Sequence, residues 1–69
     1  MKERFKFKMI RRGKVVAQSH EYDDAGSCIA AARINPLFVS SKTVMILRDS
    51  GGTDHPSNAG MFFLHWIIK

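Results

Sequence analysis

The stretch Arg4-Phe5-Lys6-Phe7-Lys8-Met9 sets a cation beside each bulky apolar side chain over consecutive positions. That period of two suits a β-strand with one dry and one wet face, because successive strand side chains point to opposite sides. Phe5, Phe7 and Met9 then belong to a core, and Arg4, Lys6 and Lys8 to the opposite surface. Gly13 ends the run, and Val15 to Tyr22 can return beside it in two registers. A two-residue loop at Arg12-Gly13 would bring Val16, Gln18 and His20 next to the core side chains. A three-residue loop, Arg11 to Gly13, would bring Val15, Ala17 and Ser19 there instead. The second choice buries less polar surface and is the expected one. It places Val16, Gln18 and His20 on the face of Arg4, Lys6 and Lys8.

Asp23-Asp24 followed by AGSCIAAARI and then Asn35-Pro36 has an acidic N-cap, an alanine-rich body and a proline stop. These signals predict a helix over about 24–34. Ala25, Cys28, Ile29 and Ala32 share one stripe, small enough to let the helix lie close to a sheet. Leu37, Phe38 and Val39 are expected to lead the chain back into the core. Two more β-rich runs follow, Thr43 to Arg48 and Met61 to Ile68, separated by DSGGTDHPSNAG, which is turn chemistry throughout. The fold class expected is α+β: one domain with a four-stranded antiparallel sheet and one helix packed on one face, in the order ββαββ.

The last run is apolar on both sides. Strict alternation puts Phe62, Leu64, Trp66 and Ile68 toward the helix and Met61, Phe63, His65 and Ile67 on the face the helix leaves bare. An uncovered apolar row marks a contact surface. Arg4, Lys6, Lys8, His20, Phe63, His65 and Ile67 are therefore the candidate residues for binding a partner or a nucleic acid.

At 69 residues the chain has material for only one small core. Docking onto a copy of itself or onto a partner would add stability. Eleven Lys and Arg against six Asp and Glu give a formal charge of +5, which favours anionic partners. The lone cysteine, Cys28, excludes an internal disulfide and fits a reducing cytoplasm. No apolar segment has signal-peptide or membrane-spanning length, so no processing and no membrane association are expected.

Few side chains suggest catalysis. Asp49-Ser50-Gly51-Gly52 resembles part of a serine-protease signature, but that chemistry needs a base, an orienting acid and an oxyanion hole. A loop is the simpler reading. His20, His55, His65 and Cys28 lack the short spacing of a zinc half-site, and Glu21, Asp23 and Asp24 suit the positive end of a helix. No phosphate-binding glycine loop is present, so no enzyme activity, cofactor, metal or small-molecule substrate is expected.

Two resemblances add to this. Gly13, Ser19-His20-Glu21-Tyr22 and Ile29-Ala30-Ala31-Ala32-Arg33-Ile34-Asn35 are similar to the YegP-like family of small bacterial domains. Departures are a shorter stretch between Tyr22 and Ile29 and Ala32 in place of valine. That resemblance implies a hairpin followed by a helix, and homodimers, with no activity to carry over. The whole layout, with Thr43-Val44-Met45 opening one strand and aromatic residues from Phe62 to Trp66 in the last, also resembles the small type I-F anti-CRISPR proteins. It implies a phage-encoded inhibitor that acts in the host cytoplasm and uses basic residues to occupy a nucleic-acid path on a CRISPR effector. The sequence leaves three readings of the basic face open: contact with a protein or nucleoprotein complex, a homodimer, and direct binding of nucleic acid.

Overall fold

The computed structural model describes residues 2–53 and 55–69. β1 (Arg4–Arg11) and β2 (Lys14–Gln18) precede α1 (Ala25–Ile34), and β3 (Thr43–Asp49) and β4 (Phe63–Ile67) follow it. All strand pairs are antiparallel, in the sheet order β2-β1-β3-β4. The α+β fold expected from the sequence is therefore the fold observed. Residue 54, within the expected turn segment, lies outside the described residues.

The comb forms the central strand β1, and its apolar teeth make the core. Phe5, Phe7 and Met9 are buried with Val44 and Ile46 of β3 and with Cys28 and Ala32 of α1. Ala25 and Ile29 complete the helix stripe as partly buried neighbours. Asp24 caps α1 by accepting the Ser27 N–H at 2.8 Å and the Ser27 hydroxyl at 2.9 Å. Asn35 ends it, returning its own N–H to the Ala32 carbonyl. The segment after the helix departs from expectation. Phe38 packs against the core, but Val39 is 87% exposed and Leu37 is 41% exposed. Lys69 ties this segment down instead, donating to the Phe38 carbonyl at 2.7 Å with its ammonium 4.7 Å from the Phe38 ring centre.

The β1–β2 hairpin also corrects the expected register. Arg11 pairs with Lys14 and Ile10 with Val15, so the loop is the two-residue Arg12-Gly13, both at positive φ (52° and 76°). A turn with two left-handed residues matches the right-handed twist of the flanking strands, which a longer loop would not do as directly. A bulge at Val16 then shifts the pairing, and Ala17 comes to sit opposite Met9. The extra residue reverses the alternation. Ala17 and Ser19 thus reach the core side as expected, while Val15 faces outward opposite Ile10 and is 52% exposed. Ser19 is fixed there by two bonds to Phe7: its hydroxyl accepts the Phe7 N–H at 2.9 Å, and its own N–H donates to the Phe7 carbonyl at 3.0 Å.

Two outcomes follow for stability. Met9→Ala removes a fully buried side chain from the centre of a small core and should cost about 3 kcal/mol in chemical denaturation, whereas Val39→Ala should change stability by less than about 0.5 kcal/mol. The pH dependence has two limbs. The Asp24 carboxyl is held below its usual 3.8 chiefly by the Ser27 backbone N–H, then by the Ser27 hydroxyl. Its contribution is complete above that value and is lost as pH falls through the lowered pKa. Burial pushes the Cys28 thiol up to about 11, against a smaller opposing effect of its hydrogen bond with Ser19. Unfolding releases a thiol of ordinary acidity, so stability is full below about pH 9 and declines as pH rises toward 11. Thermal melts across pH should lose the acid limb in Asp24→Ala and the alkaline limb in Cys28→Ala.

Candidate interaction surface

A helix of ten residues covers only part of a four-stranded sheet. α1 packs on β1 and β3. Two surfaces stay bare: the opposite face of the sheet, and both sides of β4.

The bare face is built by register. Across it, Lys8 stands opposite Met45 and Lys6 opposite Leu47, and on the far side Met45 meets Ile67 while Leu47 meets Leu64. Paired residues in an antiparallel ladder share a face, so these side chains form two rows running from β1 to β4. Phe62 joins them, because the Lys6 ammonium lies 4.4 Å from its ring centre. Arg4 closes the row of cations, at 3.5 Å from the Glu21 carboxylate. Leu64 and Ile67 are 56% and 51% exposed, while Leu47 between them and the cations is buried. The result is an apolar strip on β3 and β4 bordered by the cations of β1.

Arg4, Lys6, Lys8 and Ile67 therefore stand on the face where they were expected. Phe63, His65 and His20 do not. β4 carries a bulge: Ile46 pairs with Trp66 but Leu47 pairs with Leu64, leaving His65 as the extra residue. Past that point the parity reverses. Phe63 pairs with Arg48, itself opposite Phe5, and so lies on the helix side of the sheet. His65 points to that side too, its ring meeting Phe5 edge-on at 5.4 Å. Phe62 and Leu64 take the places on the bare face that strict alternation had given to Phe63 and His65. An uninterrupted apolar run hides such a reversal, since either parity leaves a hydrophobic side chain on each face. His20 stacks on the ring of Tyr22 at 4.3 Å, and Tyr22 bridges to Phe5. Its ring contact is thus with Tyr22, which is partly buried against the core.

The turn segment after β3 is held by one carboxylate. Asp49 is buried and accepts the Gly51 N–H at 2.9 Å and the Gly60 N–H at 3.1 Å, which draws the two ends of the loop together. Ser50 accepts from the Gly52 N–H at 3.3 Å, and its carbonyl accepts the Thr53 hydroxyl at 3.0 Å. Both side chains of the protease-like tetrapeptide thus serve the turn. Gly51, at φ 70°, sits so close to the N-terminal segment that a Cβ would lie 2.5 Å from the Lys2 carbonyl oxygen. Lys2, Arg4, Glu21, Asp49, Gly51, Ala59 and Gly60 line an open depression of about 290 Å³ here. Its charges are matched inside the fold, Lys2 with Asp23 at 3.3 Å and Arg4 with Glu21. Among the described residues no cluster of His, Cys, Asp and Glu is arranged to hold a metal ion, and no helix is long and apolar enough to cross a membrane.

Asp49→Ala leaves two N–H groups of the loop without their acceptor and should cost about 2 kcal/mol in urea unfolding. Hydrogen exchange should then accelerate at Gly51 and Gly60 while β1 keeps its protection.

Comparison of the chain with protein-family models, with curated proteins and with solved structures gave no match.

Proposed function

We propose that this chain is a non-enzymatic binding protein that engages a nucleic-acid-handling protein or nucleoprotein complex through the bare face of its sheet. The observation that carries the reading is the apolar strip of Met45, Phe62, Leu64 and Ile67 over the buried Leu47, bordered on the same face by Arg4, Lys6 and Lys8. An apolar centre with a charged rim is the composition of a protein docking site. The +5 net charge gives that site a preference for acidic partner surfaces and would speed encounter with them.

Direct binding of nucleic acid fits this surface less well. A single-strand binder offers open aromatic faces for bases and unengaged cations for phosphates. Here the ring of Phe62 is occupied by the Lys6 ammonium, and Arg4 is engaged by Glu21. The layout's resemblance to small type I-F anti-CRISPR proteins extends the proposal to a phage-encoded inhibitor that docks this face on a CRISPR effector and so blocks its nucleic-acid path.

The test uses a purified type I-F effector complex and its target DNA. The chain should reduce DNA binding by the effector, and the double variant Lys6→Glu, Lys8→Glu should lose at least tenfold in potency. Leu64→Arg should lose as much without any change in net charge on β1. No reduction at a large excess of the chain would sink the inhibitor reading. A gel shift with DNA or RNA alone that weakens steeply with salt, and disappears on charge removal at Arg4, Lys6 and Lys8, would replace it with direct nucleic-acid binding.

A further inference from the structure

β4 carries fewer of the usual protections of an edge strand than β2 does. It is the outermost strand on its side of the sheet. Phe63, Leu64, Trp66 and Ile67 are each more than half exposed, two of them on each face. Edge strands are ordinarily protected by a charge, a proline or a bulge that blunts their unpaired N–H and C=O groups. The opposite edge, β2, has both Lys14 and the bulge at Val16. β4 has a bulge, but no Lys, Arg, Asp, Glu or Pro occurs from Met61 to Ile68.

We infer that β4 pairs edge to edge, antiparallel, with β4 of a second copy of this chain, joining two sheets into one about a two-fold axis. Such an axis makes the contact self-complementary and closes it at a dimer. Area supports the choice: the exposed parts of Met61, Phe63, Leu64, Trp66 and Ile67 amount to on the order of 500 Å², against roughly 800 Å² that each partner contributes to a standard interface. The rest would have to come from the backbone edge and the flanking helix-side surface. The rows of Phe63 and Trp66 from the two copies would meet beside the helices, where α1 leaves the sheet uncovered.

Charge decides between this arrangement and two sheets stacked face to face. Stacking the bare faces would hold Arg4, Lys6 and Lys8 of the two copies at about the 10 Å spacing of packed sheets, close to the Debye length of about 8 Å at physiological salt. Edge pairing places two β3 and two β4 strands between the β1 strands, a separation of roughly 24 Å at the usual inter-strand distance. Repulsion between the cation rows is then screened. The dimer would flank Leu64 and Ile67 of each bare face and leave Arg4, Lys6 and Lys8 open, so the cation rim of the contact proposed above stays accessible.

Light scattering after size exclusion, run from low micromolar to near millimolar chain, should show a mass rising from one chain toward two. Phe63→Lys and Trp66→Lys alter exposed residues outside the core cluster, and either should weaken dimerisation at least tenfold with the far-ultraviolet circular dichroism unchanged. Lys6→Glu with Lys8→Glu should leave the dimer intact. In the unmodified chain, amide hydrogen exchange in β4 should slow with rising concentration while that in β2 stays constant. A mass of one chain at every concentration overturns the inference. So does a dimer with β4 exchange independent of concentration, or one strengthened by the β1 charge reversals and indifferent to Trp66→Lys, which is the behaviour of stacked faces.

Discussion

α1 buries Cys28 and Ala32 against Phe5, Phe7 and Met9 of β1 and Val44 and Ile46 of β3, and nearly everything else in the molecule is arranged around that contact. The helix approaches closely because its buried stripe is small, and it covers two strands because ten residues extend only about 15 Å. Placing the two strands under the helix side by side at the centre leaves β2 and β4 as the flanks. The core is small for that reason. Its fully buried large side chains are Met9, Ile46, Val44 and Cys28, so single truncations there remove a large share of the stabilising burial.

The same geometry creates the surface. A sheet with a helix on one side keeps an uncovered side, and here its two halves differ in chemistry: cations on β1, apolar side chains on β3 and β4. Lys6 over Phe62 links the halves. Exposed ion pairs such as Arg4 with Glu21 and Lys2 with Asp23 add little to stability, so the cations are more significant for what they present to a partner than for the fold. The buried Asp49 is the opposite case, a charge held inside to organise a glycine-rich loop.

Much of this was legible in the residues. The alternation of β1, the cap at Asp24, the stop at Asn35 and the place of the turn at Gly13, though not its length, each have a local physical cause, and the element order follows from them. The placement of Arg4, Lys6 and Lys8 was equally legible, because alternating polarity reveals which face is wet. The placement of Phe63 and His65 was not. In a run where every residue but one is apolar, the pattern carries no information on parity, and a single inserted residue moves all that precede it to the other face.

The sequence by itself determined the strand and helix identities, the share of the core that β1 and the helix contribute and the basic character of one face, since those depend on local periodicity and short-range backbone preference. Tertiary structure alone decided the bulges at Val16 and His65. Each one reconciles a turn or strand pairing with the burial of particular side chains, a balance struck between segments distant in the chain. Through the bulge at His65 it also decided on which side of the sheet a partner would find the aromatic rings of the last strand.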